Sequence, residues 1–117
     1  MTKFGLWALA LSLSVPVAAY ANWGAIAVDD ERGERDPAYG VGGGASRGEA
    51  ERNAMKFCRE NSKRKCEVAV TYQQCGAYAS SRNYSGTATG ATEQAVRQGA
   101  LSECGQRTCK VIVADCN

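Results

Sequence analysis

Histidine is absent from all 117 residues. That removes the commonest general base, the commonest zinc ligand and every Ser-His or Cys-His nucleophile pair. No Cys-x-x-Cys pair occurs either, which argues against thiol–disulfide oxidoreductases and against the usual zinc sites. Charge of one sign is also lacking. Fourteen Lys and Arg stand against twelve Asp and Glu, and such balance offers no electrostatic footprint for nucleic acid or an anionic membrane surface. Apolar runs are short. The longest, Phe4 to Val15, has 12 residues, below the ~17–25 that span a bilayer.

That apolar run fits an export signal instead. Lys3 supplies the positive n-region, and Ala19-Tyr20-Ala21 presents the small-x-small pattern of a cleavage site. The residue directly after Ala21 is Asn22 and not cysteine, so no lipid anchor is expected. The expected mature chain is 22–117, one domain with no membrane span, in the periplasm or outside the cell. Cleavage takes only Lys3 from the charge balance.

All six cysteines (Cys58, Cys66, Cys75, Cys104, Cys109, Cys116) lie in that mature segment. An even count in a small exported domain reads as three disulfides, which could connect in 15 ways.

The mature chain looks duplicated. Tyr39-Gly-Val-Gly-Gly-Gly-Ala-Ser46 is echoed from Tyr84 to Thr92, and each stretch leads into a helical pattern that ends in cysteine. An offset of 46 pairs Gly44 with Gly90, Ala54 with Ala100 and Cys58 with Cys104. A strand opening with cysteine follows in each copy, from Cys66 and from Cys109, and each closes on a further cysteine. Upstream, Gly24-Ala-Ile-Ala matches Gly76-Ala-Tyr-Ala. The fold expected is α+β: two pseudo-repeated β-β-α-β units forming one sheet, with both helices packed on one face.

Ser46 and Glu49 form a capping box for the first helix, and Ala50, Ala54, Phe57 and Cys58 make its apolar stripe. Thr92 opens the second helix, whose stripe is Val96, Ala100 and Cys104. Strand parity puts Cys66, Val68, Val70 and Tyr72 on one face and Cys75 on the other. The same holds for Cys109, Val111 and Val113 against Cys116. On that basis Cys58–Cys66 and Cys104–Cys109 are helix-to-strand staples, and Cys75–Cys116 joins equivalent places in the two copies. A single β-bulge would reverse the parity.

Gly40-Val-Gly-Gly-Gly44 invites a phosphate-loop reading. It lacks the Gly-Lys-Ser/Thr ending of a P-loop, and Ala45 stands where the dinucleotide spacing needs glycine. A strand passing close beneath the first helix explains it better. The charged run Asp29-Asp-Glu-Arg-Gly-Glu-Arg-Asp36 lacks calcium-loop spacing, and Arg32 and Arg35 oppose a cation. It reads as a solvated hairpin tip. Lys63-Arg-Lys65 answers the dipole at the end of the first helix. The residues indicate no catalytic group, metal ligand or cofactor.

Trp23-Gly-Ala-Ile-Ala, the glycine-rich strand, the alanine-rich helix ending at Cys58, Cys66-x-Val, Cys75-Gly-Ala-Tyr-Ala and the closing Cys104…Cys109…Cys116 resemble the bacterial family called domain of unknown function 4189. The resemblance covers essentially all of the mature chain. It implies an exported bacterial protein with a small α/β fold and brings no catalytic residues with it.

The functional expectation is a non-enzymatic exported binding protein, an inhibitor or immunity partner of a secreted toxin or wall hydrolase. The alternative is a secreted effector acting on host or competitor cells. A protein partner is expected to dock on Asp29, Asp30, Glu31, Arg32, Glu34 and Arg35 of the charged loop and on Tyr78, Arg82 and Tyr84, because exposed loops and Tyr/Arg side chains dominate binding surfaces.

Overall fold

A computed structural model describes residues 22–30 and 36–117. The expected export signal, and Glu31, Arg32, Glu34 and Arg35 of the charged run, lie outside the described residues.

The element order is β1 (Trp23–Val28), β2 (Tyr39–Gly44), α1 (Arg47–Asn61), β3 (Glu67–Tyr72), β4 (Cys75–Ser80), β5 (Ser85–Gly90), α2 (Glu93–Cys104) and β6 (Lys110–Cys116). The architecture is α+β, but the strands do not form one sheet. They form two antiparallel three-stranded sheets, ordered β2-β1-β3 and β5-β4-β6. The physical reason is two-sided hydrophobicity. Along β1, Ala25 and Ala27 pack on α1, while Ile26 and Val28 point the other way and are also buried. Along β4, Ala77 and Ala79 pack on α2 and Tyr78 points away from it. A single sheet with both helices on one face would leave Ile26, Val28, Tyr72 and Tyr78 in water. Facing the two sheets against each other buries all four together with parts of Val70 and Val113. The layers therefore run helix, sheet, sheet, helix.

Each helix begins at its expected cap. Ser46 Oγ accepts from Glu49 N–H at 3.2 Å, and Glu49 Oε1 accepts from Ala45 N–H at 2.9 Å. Thr92 Oγ1 accepts from Ala95 N–H at 3.1 Å, and α2 stops on Gly105, whose φ of 77° is left-handed. The buried stripes are Ala50, Ala54 and Cys58 on α1 and Val96, Ala100 and Cys104 on α2. Phe57 departs from its expected place and is 42% exposed. Its neighbours one turn away, Asn53 and Asn61, donate to Gly43 O and Tyr39 O on the outer edge of β2. Phe57 thus overhangs that edge.

Small residues set the helix–sheet spacing. A Cβ on Gly40 would lie 2.2 Å from Cys58 N, and one on Gly86 would lie 2.3 Å from Cys104 N. The glycine-rich strand accordingly passes directly under the helix backbone.

The parity expected for β3 and β6 is overturned by a bulge in each. Ile26 pairs with Val70 but Ala27 with Val68, so Ala69 is extra; Tyr78 pairs with Val113 but Ala79 with Val111, so Ile112 is extra. Val68 and Val111 therefore register with the alanines that face the helices, while Val70, Tyr72 and Val113 turn into the inter-sheet core. Cys116 pairs directly with Cys75. The bridges are Cys58–Cys66, Cys104–Cys109 and Cys75–Cys116, with Cα separations of 6.3, 6.2 and 4.0 Å, and no cysteine is free.

Candidate functional site

The two sheets share a core in which each contributes a tyrosine. Tyr72 at the end of β3 lies between Gly24 and Gly76, where a Cβ would fall 2.4 and 2.3 Å from its ring. Its hydroxyl donates to Asp115 Oδ2 of the other sheet at 2.7 Å. Burial, and then the bond to and charge of Asp115, hold this phenol well above the ordinary tyrosine range. Tyr78 donates to Asp30 Oδ2, and burial followed by Asp30 raises its pKa as well, against a lowering by the Ser85 and Ser80 hydroxyls. Both phenols stay protonated as hydrogen-bond donors at ordinary pH.

At Tyr78 the packing between the sheets gives way to a cleft of about 460 Å³. Val28, Val68 and Ala69 form an apolar wall, and Asp30, Lys65, Glu67, Ser85 and Thr87 supply polar groups. The residues come from β1, β3 and its approach, β4 and β5, so the cleft sits at the end of the molecule where both hairpins turn. The β4–β5 hairpin closes through Ser81 N–H to Tyr84 O at 2.8 Å. This tight tip leaves Arg82 exposed and Tyr84 50% exposed. The β1–β2 connection is tied at both described ends. Asp30 bonds Tyr78, and Asp36 Oδ2 meets Lys110 Nζ at 3.0 Å.

Not every expected contact residue is available here. Asp29 is only 1% exposed. Its Oδ1 accepts from Ala38 N–H at 2.7 Å and its Oδ2 from Ser62 Oγ just past α1. That carboxylate closes the hairpin onto the helix end, and burial removes it from any contact surface. Tyr78 is likewise buried and reaches a partner only from the cleft wall, whereas Asp30 is half-buried beside it. The cleft also contains residues that no sequence pattern marks as functional. Lys65, expected to answer the α1 dipole, lies four residues beyond the helix and lines the cleft with Glu67. Only strand register and the bulge at Ala69 bring these groups together with Ser85 and Thr87.

The groups that this cleft presents are charged and hydrogen-bonding ones. Asp30 and Glu67 offer carboxylates, Lys65 an ammonium and Ser85 and Thr87 hydroxyls. Ser46 is occupied in capping α1, and among the described residues no three His, Cys, Asp or Glu side chains cluster to hold a metal.

A family model matches residues 23–116, which spans both sheets, both helices and all three bridges. The chain belongs to the family described as Domain of unknown function (DUF4189). In this DUF4189 member the matched range takes in the hairpin-end cleft as well as the disulfide frame. Comparison with curated proteins and with solved structures gives no significant match.

Proposed function

We propose that this DUF4189 member is an exported, non-enzymatic binding protein that docks a partner protein on its hairpin end, as inhibitor or immunity partner of a secreted toxin or wall hydrolase. The observation that carries this reading is the polar cleft between the sheets, flanked by Arg82 and Tyr84 on a tight, rigid tip. Arg and Tyr are the side chains that most often anchor interfaces, and a pocket beside them receives a partner's protruding group. Three disulfides favour the role because little conformational freedom is left to lose on binding. They also favour an oxidising compartment, as does the leader-like segment at residues 1–21. The two β-β-α-β halves are copies of one unit in this reading, supported by their common strand order and equivalent bulges.

The test is capture by oxidised protein, purified after expression of the full-length gene, from periplasmic and secreted proteins of the source bacterium. The expected result is one stoichiometric partner whose toxic or hydrolytic activity is suppressed. Arg82→Ala with Tyr84→Ala should weaken that suppression by about tenfold or more. A partner found only in host or competitor extracts would transfer the reading to a secreted effector. Turnover of a substrate by the protein alone would sink the non-enzymatic reading.

A further inference from the structure

A second surface lies on the opposite side of β3, where α1 overlies that strand. Here a shallow groove of about 460 Å³ has half-buried Met55 and 37%-exposed Val68 as its floor, with Arg52 and Arg59 on its rim. The two arginines are seven residues apart, so they stand on one face about 10 Å from each other along the helix. Neither forms an ion pair or hydrogen bond among the described residues. The single acid of the groove, Glu51, is already committed. It accepts from Thr71 Oγ1 at 2.8 Å and from Arg47 Nε at 3.1 Å, and these bonds hold its carboxyl below the ordinary range.

The fold does not require this arrangement. At the same places along the second half, the offset of 46 puts Gln98 and Gly105 where Arg52 and Arg59 stand, while Leu101 keeps the apolar character of Met55. The cations are therefore a property of one helix and not of the architecture. In addition, β3 is an outer strand of its sheet, so its outer backbone groups border the groove without a strand partner in that sheet.

We propose that the α1–β3 groove docks an extended acidic segment of a partner protein. Alternate side chains of an extended chain point to opposite sides. Apolar ones settle on Met55 and Val68 while carboxylates reach Arg52 and Arg59, and the free edge of β3 offers main-chain hydrogen bonds to hold the segment in register. This occupant is chosen by charge complementarity, and the groove shares only Val68 with the hairpin-end cleft.

The probe is a fluorescein-labelled peptide of alternating Glu and Val with blocked ends, followed by anisotropy with the oxidised protein purified after full-length expression. Saturable binding is expected, absent for a Lys/Val counterpart and weakened by about tenfold on raising salt from roughly 0.05 to 0.5 M. Arg52→Gln with Arg59→Gln should weaken it by about tenfold or more, with an unchanged circular dichroism spectrum showing that α1 is intact. Equal binding of the lysine peptide, no saturable binding, or an unaffected double variant would each overturn the proposal. So would self-association in sedimentation that the double variant abolishes, because the occupant would then be a second copy. Loss of peptide binding in Arg82→Ala/Tyr84→Ala would move the peptide to the hairpin end. Loss of partner suppression in that same variant, with peptide binding intact, reports on the hairpin-end reading alone.

Discussion

The two halves of the molecule solve one packing problem in opposite ways. In the first, the glycine is in the strand: a Cβ on Gly42 would fall 2.2 Å from Ala54 N, and the helix residue at the crossing is Asn53. In the second, the strand carries Ala88 and the glycine has moved into the helix, where a Cβ on Gly99 would fall 2.8 Å from the Ala88 methyl. What is required is a short helix–sheet distance, and either surface can supply the missing methyl. The difference explains why Gly99 is kept despite costing α2 about 1 kcal/mol of intrinsic helix propensity.

The sharpest way to break this comparison is Gly42→Ala. Its methyl meets helix backbone, which cannot rotate aside, so urea unfolding should register a loss of about 3 kcal/mol or more. Adding Asn53→Gly, which copies the second half, should recover part of that loss. Absence of any recovery would show that α1 cannot take up the position α2 holds.

Next in size are the bridges, which differ in the loop they close. Cys75–Cys116 spans 41 residues and joins the first and last strands of the second half, whereas Cys104–Cys109 spans 5. Replacing Cys75 and Cys116 by alanine should lower stability by about 2–4 kcal/mol in the same assay, and replacing the short pair by less. Equal losses would show that local strain relief, and not loop closure, governs both.

A smaller effect separates two helix glycines. Gly99→Ala should destabilise by about 1 kcal/mol because overpacking against Ala88 outweighs the gain in helix propensity. Gly48→Ala in α1 should instead stabilise by about 0.5 kcal/mol, since a Cβ there meets only the far end of the flexible Arg52 side chain at 3.3 Å. Thermal midpoints of the two variants should move in opposite directions.

The smallest effect is silent at ordinary pH. Tyr72 and Tyr78, one from each sheet, have raised pKa values in the folded protein. The unfolded chain therefore loses their protons first. Their contribution is complete below about pH 10, the ordinary tyrosine value, and declines as pH rises beyond it. The part of the phenolate absorbance that Tyr72→Phe and Tyr78→Phe remove should rise together with loss of tertiary circular dichroism, and Tyr72→Phe should reduce the alkaline sensitivity. Ionisation of both phenols at the ordinary value without unfolding would contradict their burial against Asp115 and Asp30.

Local features are legible in the residues alone. Ser46, Glu49 and Thr92 mark the helix starts because capping depends on a few adjacent atoms. Ala50, Ala54 and Cys58, and Val96, Ala100 and Cys104, mark the inward stripes because the helical period is set by backbone geometry. The exposed Arg82 and Tyr84 are legible too, as a polar turn between two strands. Asp29 is not: a carboxylate in a charged run looks solvated until the helix end brings Ser62 to it.

Residue order alone thus sets the elements, their succession, the small-residue stripes and a cysteine count that calls for three bridges. The division into two sheets comes from packing, because one sheet could not bury both faces of β1 and β4. Packing also selects the faces that Val70, Val113 and Cys116 take, because a bulge at Ala69 or Ile112 is a response to strand pairing. No residue in either strand announces that extra position, and the cleft formed by Lys65, Glu67, Ser85 and Thr87 depends on it.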